Sequence, residues 1–197
     1  MSSEAIPFLT PEQYLEIERK AEYKSEYLNG QMFAMAGASI RHAQLITNIN
    51  ANLWIQLRGR ECFVFTTDLR LQIKASGLYT YPDLMVVCGQ PRHPAGADDI
   101  IENPKLIVEV LSDSTKNYDR GEKFRHYRTI PEFSEYLIVA QDSVRVERHV
   151  RQADNSWLFR DFTMPAERIE LSSIGCSLDT DAIYEGVATA PSGRGSE

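Results

Sequence analysis

Two short apolar runs in this 197-residue chain each carry one carboxylate: Tyr81-Pro82-Asp83-Leu84-Met85-Val86-Val87 and Leu106-Ile107-Val108-Glu109-Val110-Leu111. Their length and β-branched content are those of central strands. A carboxylate stripped of water is costly unless it is paired, so two of them in one sheet call for a shared cation. The segment from Tyr118 to Ile130 offers a third participant. It reads as a helix stopped by Pro131. At about 100° per residue, with Lys123 at zero, Ile130 falls near −20°, Tyr127 near 40° and Phe124 near 100°, which puts Lys123 inside the apolar stripe. Arg125 and Arg128 fall well away from it, as solvated charges do. An inward amine beside two inward acids makes one site, either a buried ion network or a metal centre with a catalytic lysine.

The surrounding elements are legible in order. Thr10-Pro11-Glu12-Gln13 combines an N-cap, a proline at the first helical position and a reciprocal capping residue, and predicts a helix to about Ser25. Asn29-Gly30, between Tyr27-Leu28 and Met32 to Met35, suits a tight hairpin needing positive φ. Ser39 caps a second helix whose face is marked by Ile46, Ile49, Leu53 and Leu57 and which ends at Gly59. Cys62 to Phe65 and Leu69 to Ile73 read as strands, the second alternating like a half-exposed one. The strand carrying Asp83 follows Gly77, and residues 89–104 form a proline-rich loop. Beyond Pro131, Glu135 to Ala140 is a buried strand, Val144 to Arg148 an alternating one and Trp157 to Arg160 another, with Asp154-Asn155 at the turn. Ile169 to Leu171 adds a late strand, and Asp181 to Tyr184 a short helical end. Mixed strands and helices in this order predict an α/β or α+β fold.

Length allows one domain, over residues 1–187, with a small polar tail at 188–197 whose composition predicts disorder. Cys62, Cys88 and Cys176 are odd in number, widely spaced and without a Cys-x-x-Cys pair, so neither a disulfide framework nor a zinc knuckle is indicated; a reducing cytoplasm is the expected setting. Met1 to Pro7 lacks the basic start and apolar run of a signal peptide, and no apolar stretch reaches membrane-spanning length. The net charge of −7 opposes broad nucleic-acid binding, which works by neutralising phosphates, so any such binding must be local. Lys116, Arg120, Lys123, Arg125 and Arg128 outnumber Asp119 and Glu122 in one candidate segment. Asp68 and Asp119 read as a turn residue and a helix cap.

Several of these pieces together resemble the Uma family of putative restriction endonucleases, within the PD-(D/E)XK nuclease superfamily. They are Pro82-Asp83, the Ile107 to Ser112 run with Ser114-Thr115 behind it, and Asp119-Arg120-Gly121-Glu122-Lys123-Phe124-x-x-Tyr127. Tyr23 to Gly30 and Glu135 to Val139 are also similar to that family, and the resemblance spans about residues 10–186. It implies a restriction-endonuclease-like core, a mixed central sheet flanked by helices, with Asp83 and Glu109 as ligands to Mg²⁺ or Mn²⁺. The superfamily's usual lysine position, two residues after the second acid, is Leu111 here, and the resemblance points to Lys123 as a migrated replacement. Glu26 resembles an extra acid near the metal, and His42 matches a histidine the family tends to carry. His42, Arg120 and Tyr127 are candidates for substrate contact.

The chemistry implied is hydrolysis of a DNA phosphodiester. Hard Mg²⁺ prefers oxygen ligands, which Asp83, Glu109 and the Val110 carbonyl would supply, while Lys123 orients the nucleophile or neutralises the phosphate. Cutting both strands of a duplex needs two sites, hence an expected homodimer. A different class of protein fits the same residues: a catalytically silent nucleic-acid-binding or protein-interaction module in which Lys123 and the acids form a structural ion network. Hydrolysis of another phosphoester is a third reading.

Overall fold

A computed structural model describes residues 8–112 and 116–188. Met1 to Pro7, Ser114-Thr115 and residues 189–197 of the expected tail lie outside the described residues. The elements in chain order are α1 (Pro11–Glu18), β1 (Ser25–Leu28), β2 (Gln31–Ala34), α2 (Ile40–Leu57), β3 (Cys62–Thr66), β4 (Arg70–Ile73), β5 (Leu78–Thr80), β6 (Leu84–Cys88), β7 (Ile100–Ile101) and β8 (Leu106–Leu111). Next come α3 (Lys116–Tyr118), a π-helical turn (Asp119–Lys123) and α4 (Phe124–Tyr127), and finally β9 (Glu135–Ala140), β10 (Val146–Arg151), β11 (Trp157–Phe162), β12 (Arg168–Leu171), β13 (Cys176–Asp179) and α5 (Thr180–Ile183).

The larger sheet has the order β11-β10-β9-β8-β6-β3 and is mixed, with β8 and β9 parallel and its other neighbours antiparallel. Parallel neighbours need a crossover, and the helical stretch from Lys116 to Tyr127 is that crossover. β8 and β9 are buried along their whole length, which is why they read as unbroken apolar runs. Side chains alternate between the two faces. Leu84, Val86, Leu106, Val108 and Val110 pack against Leu45, Ile49, Leu53 and Leu57 of α2, each of which contributes roughly 1.5–3 kcal/mol of burial. Met85, Val87, Ile107 and Leu111 face the other way, into a second core with Tyr127, Ile130, Phe133 and Tyr136. Glu109 alternates with Ile107 and Leu111 and so belongs to that second face.

A second sheet, β2-β1-β5-β4-β7, stands beside the first. Its β1–β2 hairpin turns at Asn29 (φ 49°) and Gly30 (φ 82°), as the sequence predicts. The Thr10 capping box forms, and Ser39 Oγ accepts from the His42 N–H. α1 nevertheless ends at Glu18, well before Ser25. The chain doubles back there: Ser25 N donates to Glu18 Oε1 at 2.7 Å, and the Tyr14 hydroxyl donates to the Ser25 carbonyl at 2.7 Å.

Other expectations are corrected. The Tyr81–Val87 run is not a single strand: Pro82 has no N–H for a ladder, and β6 begins only at Leu84, leaving Asp83 in the preceding turn. β4 is buried almost throughout rather than half-exposed, because Leu71 and Ile73 pack into the second core and Arg70 is held by Tyr81 and Asp99. β7, inside the expected loop, and β13 carried too few distinctive residues to be read. Cys62 and Cys88 are directly paired across β3 and β6 and form a disulfide, while Cys176 is free and buried. Strand register, invisible in cysteine spacing, brings the two together. Among the described residues no helix is long and apolar enough to cross a membrane.

Candidate active site

The β6–β8 ladder pairs Leu84 with Val108 and Met85 with Ile107; carried one step further, the same register sets Asp83 opposite Glu109. Opposed residues of an antiparallel pair share a face. At this end of β8 the Val110 N–H is taken by a side chain: it donates to Asp83 Oδ2 at 2.7 Å. The Val110 carbonyl leaves the strand on the same side and faces His42. His42, in the first turn of α2, brings Nε2 to 3.2 Å from Asp83 Oδ2. Burial lowers the proton affinity of His42, but the hydrogen bond and charge of Asp83 outweigh it, and the net shift is upward.

The crossover helix supplies the amine. Lys123 is 4% exposed, and its ammonium lies 2.9 Å from Glu109 Oε1, 3.3 Å from Glu26 Oε1 and 3.5 Å from Asp119 Oδ1. Burial disfavours the charged amine, yet Glu109, Glu26 and Asp119 overcome it and hold Lys123 well above its ordinary value. Glu109 is 3% exposed; burial pushes its carboxyl above the ordinary range, with the Lys123 ammonium pulling the other way. Beneath it, the buried Tyr127 hydroxyl donates to Glu109 Oε1 at 2.6 Å. Glu26 on β1 accepts from Thr80 Oγ1 at 2.5 Å and also faces the Tyr118 hydroxyl.

These groups open onto a cleft of about 770 Å³ lined by Glu26, His42, Asp83, Glu109, Val110 and Lys123, among others. Seven of the eight residues singled out from the sequence thus meet in one place, Tyr127 doing so from underneath, where it contacts Glu109. Arg120 points elsewhere, toward Glu147 on β10 at 2.7 Å, and lines a neighbouring groove. Three participants were missed. Asp119, read from the sequence as a helix cap, is a buried member of the cluster, and its spacing of four residues from Lys123 was the available signal. Thr80 and Tyr118 carried none.

The donor set fits a hard divalent cation. Asp83 and Glu109 each use one oxygen on protein partners, while Oδ1 of Asp83 and Oε2 of Glu109 have no hydrogen bond among the described residues. Two carboxylate oxygens and the Val110 carbonyl, completed by water, suit Mg²⁺, which needs no dedicated protein cage. Among the described residues no group of three or more His, Cys, Asp or Glu side chains is placed to hold a metal ion, so such a site would rest on two carboxylates and a carbonyl alone.

Residues 11–181 match the family model Uma2, described as "Putative restriction endonuclease". The chain belongs to the Uma2 family. It is 39% identical over 186 residues to the uncharacterized protein slr1290 of Synechocystis sp., covering 94% of this chain and 96% of that one. A second uncharacterized protein of that organism, sll1609, is 38% identical over 164 residues, covering 83% of this chain and 93% of that one. The fold is shared with the crystal structure of a putative nuclease belonging to DUF820 from Anabaena variabilis. The TM-score is 0.74 at 16% identity, with 91% of this Uma2 chain and 99% of that chain covered.

Proposed function

We propose that this Uma2 protein is a divalent-metal-dependent endonuclease that hydrolyses DNA phosphodiester bonds. The observation carrying the proposal is a buried ammonium 2.9 Å from Glu109, in the cleft that Asp83 also lines. Asp83, Glu109 and the Val110 carbonyl would hold Mg²⁺ or Mn²⁺. The cation supplies Lewis-acid activation of water and charge neutralisation at the phosphate. Lys123 stabilises negative charge as it develops on the phosphate oxygens, and Glu26 and Asp119 keep the amine charged and aimed. Tyr127 fixes the Glu109 carboxylate, and His42 does the same for Asp83 through Oδ2. A homodimer would supply the second site for duplex cleavage.

The silent-module reading has its own support, because Lys123 already has three carboxylate partners, as a lysine in a structural ion network would. Nicking of plasmid, single-stranded and branched DNA with Mn²⁺ discriminates between the two. The wild type is expected to cleave, and Asp83→Ala and Lys123→Ala to be slower by about 10²-fold or more with folding verified by melting. Equal cleavage by Lys123→Ala removes the lysine from the chemistry. A wild type that neither nicks any of these DNAs nor binds Mn²⁺ calorimetrically leaves the silent module.

A further inference from the structure

Next to the acidic cleft lies a groove of about 740 Å³ with the opposite character. Among the described residues, Arg41, Lys116, Arg120 and Arg145 line it, against one acid, Asp142. Arg120 and Arg145 are engaged with Glu147 and Asp161, so the groove is moderately rather than strongly positive. Arg41 stands exposed in the first turn of α2. The two hollows share Ser39, Ser112 and Gln141 as walls, and Ser39 Oγ donates to Gln141 Oε1 at 2.6 Å across the divide. A chain of phosphates lying in the basic groove would therefore run on into the cleft that holds Lys123.

Two exposed aromatic side chains also line that cleft. Tyr23 is 66% exposed and Phe33 50%, both line the cleft, and neither ring touches another aromatic ring among the described residues. Phe33 is directly cross-strand from Glu26, so its ring rises on the same face of the hairpin as the acid that meets the Lys123 ammonium. Ile40, 87% exposed, lines the groove side. Scattered exposed apolar residues are ordinary, but these line the two adjoining hollows of one charged site.

Resting on the nuclease reading above, the geometry points to an unpaired DNA strand as the substrate segment, its phosphates in the Arg41 groove and its bases stacked on Tyr23 and Phe33. In a duplex the base faces are occupied by their neighbours, and rings beside the scissile phosphate have nothing to stack on; a single strand turns its bases out. Its lower charge density also suits a protein of net charge −7.

The test is fluorescence anisotropy with labelled DNA of about 20 nucleotides, single-stranded or as the matching duplex, on full-length Asp83→Asn protein in Mg²⁺, where the proposed chemistry is disabled. The single strand is expected to bind about tenfold or more tighter. Adding Tyr23→Ala and Phe33→Ala, both at exposed positions and expected to leave the melting temperature unchanged, should weaken single-strand binding about tenfold and leave duplex binding unchanged. Arg41→Glu should weaken both and flatten the salt dependence. Equal or tighter duplex binding, or single-strand affinity indifferent to the loss of both rings, overturns the inference while leaving the nuclease proposal standing if Mn²⁺-dependent nicking is seen. Binding of neither DNA overturns both.

Discussion

At the scale of single residues, Asp83, Glu109 and Lys123 were legible because each breaks a pattern: two carboxylates in apolar runs and an amine within an apolar stripe. Asp119 broke no pattern, since an acid at a helix start is ordinary, and only the structure shows it turned inward beside Lys123. The cluster has a testable consequence. Truncating Lys123 leaves Glu109 and Glu26 buried without their cation, and removing one partner of a buried ion pair costs about 3–5 kcal/mol. Lys123→Ala is therefore expected to melt markedly below the wild type in EDTA. Millimolar Mn²⁺ should recover more of the stability in the variant than in the wild type, because a divalent cation replaces the missing charge where the acids converge. A variant that melts like the wild type in EDTA, or gains nothing from Mn²⁺, contradicts this account.

At the scale of elements, capped helices and the Asn29-Gly30 hairpin could be read locally because their signals lie within a few residues. What joins elements could not, since pairing depends on register between distant segments. The tie between α1, β4 and the segment before β7 is an example. Asp99 Oδ1 accepts from Arg19 Nη2 at 2.9 Å, just past the end of α1, and Asp99 Oδ2 accepts from Arg70 Nη1 at 2.5 Å. Hydrogen bonds from Arg19 and Arg70, against a smaller opposing effect of burial, hold the Asp99 carboxyl at about 2, below its ordinary 3.8. Its folded value is depressed, so its contribution is complete above the unfolded value and is lost as pH falls toward 2. With solvent screening discounted, that contribution is about 1 kcal/mol. Urea unfolding of Asp99→Asn should lie below the wild type by about that amount at pH 7, with the gap narrowing between about pH 4 and pH 2. A gap unchanged by acid would mean that the two arginines do not govern this carboxylate.

At the scale of the whole molecule, the fold class followed from element order, and the two-faced burial of the larger sheet explains why its central strands were the easiest to find. Three free thiols were expected, and the opposite held for two of them. β3 is the edge strand of the larger sheet, and the Cys62–Cys88 bond fastens it to β6 across a sequence separation of 26. The loop so closed contains β4 and β5, the strands that link the two sheets, so the cross-link constrains the unfolded chain over the part that must be ordered for Asp83 to meet Glu109. For a loop of this size the chain-entropy account gives about 3 kcal/mol. At 197 residues that corresponds to a melting temperature lower by roughly 6–12 °C when the bond is removed. Reduced protein and the Cys62→Ser, Cys88→Ser double variant should therefore melt alike and below the oxidised wild type, with the reductant changing nothing further in the variant. Thiol titration of the unfolded, unreduced wild type should count one thiol, Cys176. Three thiols in that titration would mean that the pair stays reduced, and β3 would then be held to β6 by its ladder and side-chain packing alone.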